Sequence, residues 1–462
     1  MEFWRHALVG NLLVLAITLA IAATLRARIA PLRRLGIPDG LLAGALALLV
    51  GPSALDVVPH SLAFGGAVLE PLVYHGFAVV FIALGLRAAP RVLVTPGARS
   101  LAFGFIALAV LQSLLGFAAI AAWSAVTGDA LHPGFGFMLM LGFAQGPGQA
   151  LSLGSAWEPL GFVQGAQIGL LFAALGFAAC CVLGIPLVAW ARRRGWLDPP
   201  TPIEPPQAAS TSTHEAAHHD GGREQRMEPL TLAAVCIGCV YALVFAVLWS
   251  LTSLLPSGSS AAATVWGFHF LVGSALAITL RRVVDRTQWF ALDDIVLSRI
   301  AITAVDLTTA AALGALELDA IGPWLAPILV IAAAGGVFTL VVTLWLGRRA
   351  FPDAPLAHVL MLFGTSTGTM PTGFALLRMV DPELRGPVAR STVLAATAAV
   401  PLGMPLFLAV IPISVSGWRD GDGGTGTTIA MLVAYAVVLF ALWRRRGGLR
   451  SHPPWWRAWP RD

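Results

Sequence analysis

Ten residues from Gly364 to Gly373, "GTSTGTMPTG", hold six Ser, Thr or Pro side chains and three glycines inside a chain otherwise made of long apolar runs. The hydroxyls of Thr365, Ser366, Thr367, Thr369 and Thr372, with the bare backbone at Gly364, Gly368 and Gly373, can coordinate a small cation or hydrogen-bond a carboxylate. They can equally repair a helix that Pro371 interrupts. Downstream, Arg378 suits bidentate pairing with a carboxylate, or serves only as a topology signal. One carboxylate stands out: Asp306 lies mid-span in "IAITAVDLTTAAALGAL". A lone acid there costs at least about 2.5 kcal/mol on insertion scales, so it reads as functional. It would bind Na⁺ or a proton with Thr308 or Thr309, alongside Ser366 and Thr367, or else pair structurally with Arg299. Gln112, Ser113, Asn11 and His269 are further intramembrane polar groups and read as satisfied helix contacts.

A second stretch, "LGFAQGPGQALSLGSAWEPLG" from Leu141 to Gly161, lines up with the first. Gly142 meets Gly364, Gly146 meets Gly368, and with one residue of slack Glu158-Pro159 meets Asp381-Pro382. Its candidate substrate contacts are Gln145, Gly146, Gly148 and Gln149. The two acid-Pro pairs read as N-caps of the spans that follow. Downstream, Gly184-Ile185-Pro186 is similar to Gly403-Met404-Pro405.

These residues must be held in a membrane. Apolar residues fill 57% of 462 positions and charged residues 11%, far from the roughly one-quarter charged of a soluble domain. Eleven runs are apolar and long enough to span: 7–25, 38–52, 72–90, 100–126, 161–190, 229–253, 264–281, 294–317, 321–347, 388–413 and 427–443. The first lacks a basic leader region and reads as a retained span. Segments 133–157 and 356–380 begin apolar and are then broken by Gly, Pro and polar residues. Net charge is +5, carried by 29 basic residues that are all Arg; in such a chain this means topology and not nucleic acid. The four cysteines fall in apolar runs and read as packing residues, without a disulfide or zinc framework.

Arg26, Arg28, Arg33 and Arg34 follow the first span, and Arg clusters follow every second span thereafter, which places those loops and the C-terminus in the cytoplasm and the N-terminus outside. Residues 191–228 are rich in Pro, Ser, Thr and charge and read as a cytoplasmic flexible linker; His214, His218 and His219 within it lack fixed metal partners. The linker separates residues 1–190 from 229–415, and 416–462 adds an extra C-terminal span and a basic tail. With five spans each, the halves must have opposite orientations. The expected fold class is therefore an all-α polytopic membrane protein of two inverted five-helix repeats, each with a re-entrant hairpin between its fourth and fifth span. Irregular backbone at membrane depth survives only where protein or a water-filled cavity surrounds it, and paired broken segments in inverted halves describe a secondary transporter.

"GTSTGTMPTGFALLRMVDP" resembles the second re-entrant loop of the sodium/glutamate symporter family, and "LRRLGIPDGLLAGALALLVGP" resembles that family's first-half entry. The resemblance covers about residues 5 to 415. It implies hairpins that form the substrate and sodium site, glutamate uptake driven by Na⁺ as coupling ion, a bacterial inner-membrane location and a homodimer. The first loop departs from the family: "AQGPGQA" stands where members resemble Gly-Gly-His-Gly-Thr-Ala. Other readings stay open, namely a citrate- or malate-like carboxylate coupled to Na⁺ or H⁺, and a channel that uses the loops as a filter. A membrane enzyme is disfavoured, because no HExxH, GxSxG or carboxylate pair is visible.

Overall fold

The computed structural model describes residues 6–30, 37–88, 95–196, 227–256, 260–382, 386–419, 424–446 and 448–450, with Leu32 and Leu384 besides. Most of the linker, including its three histidines, lies outside the described residues. Those described form helices and connecting turns without a strand, and nine of the helices are long and apolar enough to cross a membrane. The protein is an all-helical, multi-pass membrane protein.

In chain order the spans are α1 (Ala7–Arg28), α3 (Gly66–Gly85), α4 (Pro96–Thr127), α7 (Gly165–Ala179, continuing to Arg193), α8 (Pro229–Ser253), α10 (Asp294–Gly314), α11 (Leu325–Ala350), α14 (Pro387–Pro405, continuing to Ser416) and α15 (Thr425–Arg445). Between them lie α2 (Asp39–Val50), α5 (Gly134–Met140), α6 (Pro147–Trp157), α9 (His269–Thr287), α12 (Pro355–Thr367) and α13 (Met370–Arg378).

Two expected spans, 38–52 and 264–281, are not among the nine, for different reasons. Helix α2 has 12 residues, about 18 Å at 1.5 Å per residue, little more than half of a roughly 30 Å hydrocarbon core. Helix α9 is broken from a preceding short helix at Phe268 and carries Arg281, Arg282, Asp285 and Arg286 in its last turns. Both are the second expected span of their half.

The short α2 is set at a particular depth. It packs alongside α10 in the same direction, Gly40 against Asp306 and Gly44 against Ala310 and Leu313. Its first turn is thus level with Asp306, about 18 Å along α10 from Asp294. An Arg26–Asp39 ion pair of 2.6 Å ties the end of α1 to the start of α2.

The two interrupted segments are both helix–break–helix units. The first runs α5, a wide π turn at Leu141–Gln145, a break at Gly146, then α6; the second runs α12, a break at Gly368, then α13. Glycine is required at 146, where φ is +89°. Two further π turns interrupt α7 at Cys180–Gly184 and α14 at Leu406–Val410, each followed two residues on by Pro186 or Pro412. Each of these π turns thus runs into an Ile-Pro pair, Ile185-Pro186 in the first and Ile411-Pro412 in the second.

The acid-Pro pairs act at longer range than expected. Glu158 accepts from Ala166 N (3.1 Å) at the start of α7, and Asp381 accepts from Gly386 N (2.8 Å) just before α14. Neither adjoining proline opens the next span, since Pro387 takes that place in α14.

Candidate functional site

The breaks in the two helix–break–helix units meet. A Cβ at Gly146 would lie 2.8 Å from Thr369 Cγ2, closer than any side chain tolerates, and one at Gly176 of α7 would lie 2.4 Å from the Thr367 carbonyl oxygen. Glycines on two elements thus let the second tip come close to backbone where the helices stop.

Broken helices leave amides and carbonyls without partners, and side chains replace many of them. The Thr372 hydroxyl accepts from Thr369 N (2.8 Å) and donates towards Gly364 O (2.8 Å), while the Thr369 side chain caps α13 in return. Thr367 donates to Phe363 O within its own helix. From outside, Gln112 at the middle of α4 donates its amide to Ser366 O (2.8 Å) and Thr339 Oγ1 (2.9 Å). Gln112 is thus a helix contact, as expected, and the helix end it holds belongs to a distant part of the chain. Asn11 and Ser113 make such contacts too, to Ala63 O (2.9 Å) and Ala109 O (3.0 Å).

Facing the second tip is a narrow crevice lined by Asp306 and Thr309 of α10, Thr369, Pro371 and Thr372 of the tip, and Pro38 and Leu41 at the start of α2. Asp306 is half-buried and lies against the Gly40 backbone. A Cβ at Gly40 would fall 2.6 Å from Asp306 O and 3.0 Å from its Oδ1. The carboxylate therefore stands beside the first turn of α2 from another helix, where the free amides favour negative charge. No ion pair between Asp306 and Arg299 occurs among the described residues.

The candidates named from sequence divide accordingly. Asp306, Thr369 and Thr372 come together in the crevice, joined by Thr309. Ser366 and Thr367 are buried behind the tip, and neither lines the crevice with Asp306. Thr365 is half-buried with its hydroxyl unpartnered, and Gly368 and Gly373 are packed against Thr372 and Thr365. Arg378 stands exposed in the last turn of α13, outside the crevice.

On the first unit Gln145 is half-buried beside the break, Gly146 forms the tip contact, and Gln149 is buried with its side-chain oxygen unpartnered. Gly148 lies against the Phe77 ring. Phe77 in turn packs with Phe81 (4.8 Å) and Phe270 (5.2 Å) in an aromatic cluster.

Two participants were passed over in the sequence. Cys180, in the π turn of α7, is buried beside the Thr367 and Thr372 hydroxyls. Gly40 supplies the backbone that meets Asp306; the Pro-Asp-Gly start of an undersized apolar run was the available signal.

The chain matches no family model, no curated protein and no solved structure. The reading of the site therefore rests on its own geometry and on the motif resemblance above.

Proposed function

We propose that this chain is a secondary-active symporter that carries a small carboxylic-acid substrate with a cation, Na⁺ first among them. The observation that carries the reading is the meeting of two broken-helix tips, at Gly146 and Thr369, beside a crevice that holds Asp306. Discontinuous helices of this kind give a transporter free amides for an anion and free oxygens for a cation near the midplane. In this reading the two units are re-entrant hairpins of inverted five-helix repeats, entering from opposite sides of a bacterial inner membrane. The N-terminus lies outside, the C-terminus in the cytoplasm, and the working unit is a homodimer.

Asp306 is the crevice's carboxylate and the group a cation would contact. Because it also holds the start of α2, a ligand there biases α2 against α10 and the second hairpin, which is what alternating access requires of differential affinity. Glutamate is the substrate that the motif resemblance implies.

The test is uptake into proteoliposomes containing the full chain. An inward Na⁺ gradient should drive accumulation of a labelled amino or hydroxy acid, from a panel of glutamate, citrate, malate and leucine, above its equilibrium level. Downhill flux of any of these without need of Na⁺ or H⁺ gradients would replace the symporter by a channel.

A further inference from the structure

Next to the crevice beside Asp306 lies a second one of different chemistry. The two are neighbours, with Pro38, Leu41 and Thr372 lining both. The second, a narrow lobe, runs between α2 and α13 and along the π turn of α7. Its walls are Ile37, Ile185, Ala375 and Leu376 with the thiols of Cys180 and Cys181.

We infer that the substrate is a zwitterionic amino acid with an aliphatic side chain, held with its ammonium on Asp306 and its side chain in the second lobe. This rests on the symporter reading and narrows its substrate. An ionised Asp306 has acceptor positions for an ammonium group beyond its contact with the Gly40 backbone. Thr309 and Thr369 line the same lobe, and their hydroxyls can donate to the carboxylate of the same ligand. Beyond Thr372 the lining turns apolar, which suits methyl and methylene groups and rejects charge.

Glutamate would place its second carboxylate there. Among the described residues no arginine lines either lobe, the chain has no lysine, and Arg378 stands exposed at the far end of α13. A carboxylate in the second lobe would find no charged partner among those lining residues, the costly case for a buried ion. The loss of the family pattern from the first loop fits a changed substrate.

Binding is measured on the purified full chain by thermal unfolding in NaCl, with leucine, glutamate or 4-methyl-2-oxopentanoate, which keeps leucine's tail but lacks the ammonium. Leucine should raise the unfolding temperature, and the other two should not. Cys181→Trp, which fills the second lobe, should weaken leucine at least about tenfold while alanine, with its short side chain, still stabilises. Asp306→Asn should remove the leucine effect, and the unliganded melt reports whether that variant is folded. Stabilisation by glutamate but not leucine, stabilisation by none of the three, or leucine binding indifferent to Cys181→Trp would each overturn the assignment. Leucine binding without Na⁺-driven uptake would instead sink the symporter reading and leave the assignment standing.

Discussion

The two broken-helix units use one backbone device in opposite surroundings. Around the first, Gly148 rests on Phe77 in a cluster with Phe81 and Phe270. Around the second, Thr369 and Thr372 face Asp306 and Thr309, with the Arg26–Asp39 pair close by at the start of α2. Stopping a helix in a membrane creates polar ends in either case. What those ends can do depends on the neighbouring helix. In the proposed reading aromatic packing makes the first unit a wall, and the Asp306 carboxylate makes the second a holder for a charged ligand.

That contrast can be broken. The largest effect is expected from Asp306→Asn, which should lower Na⁺-driven uptake about 100-fold, equivalent to ~3 kcal/mol for losing one side of a desolvated charge contact. Its counterpart on the other side, Phe77→Leu, should leave uptake within about tenfold of the parent, because an apolar-for-apolar swap costs under ~1.5 kcal/mol. Equal losses in the two variants would abolish the distinction between wall and holder.

Gly146→Val should come next. It forces a branched residue to φ +89° and into Thr369 Cγ2, a backbone strain of about 1–3 kcal/mol before the clash is counted. Uptake and unfolding temperature should both fall, whereas Gly146→Ala should fall less. Gln112→Leu leaves Ser366 O without its donor, a loss of about 1–3 kcal/mol, visible as a lower unfolding temperature. Thr339→Val removes the lesser partner and should cost less; the reverse order would mean that Gln112 serves α11 and not the second tip.

The smallest effect concerns acid. His132, in the turn before α5, is held below the usual histidine value by burial, against a backbone hydrogen bond at Leu160 that raises it. A histidine lowered in the folded state takes up a proton more readily when unfolded, so stability is full at neutral pH and declines as pH drops below about 6.5. An unfolding temperature that falls between pH 7 and 5, and falls less in His132→Phe, is the expected outcome. It should be indifferent to Asp306→Asn, since His132 lies with Phe162 and Trp418 (5.1 and 5.0 Å between ring centres), apart from the crevice.

What the sequence made legible was local. Apolar runs gave the spans because length against bilayer thickness is a property of contiguous residues, and Gly-Pro interruptions gave the broken units for the same reason. Residues 38–52 misled because an apolar run does not reveal that its helix begins at Asp39 and ends at Val50. Partnerships across the chain were hidden. Asp306 was singled out for its charge, but its contact with Gly40, some 270 positions away, and that of Gln112 with Ser366 depend on packing. Arg378 drew attention because guanidinium suits carboxylate, yet it takes the last turn of α13, where a cation favours the helix terminus. The two halves of the crevice wall, thiols and threonines, gave no common pattern to read.

The π turns in α7 and α14 bear on how such a molecule could move. One extra residue in a turn rotates everything beyond it by about 100° relative to an unbroken α-helix. In α7 the residues before the turn, such as Gly176, face the tips, and those within and after it, Cys181 and Ile185, face the second lobe. Shifting that extra residue along the helix by one position would re-aim each side chain it passes without lifting α7 out of its packing. A helix of fixed length and place could thereby present two different surfaces to the same hairpin, as a combination lock does when one ring is turned.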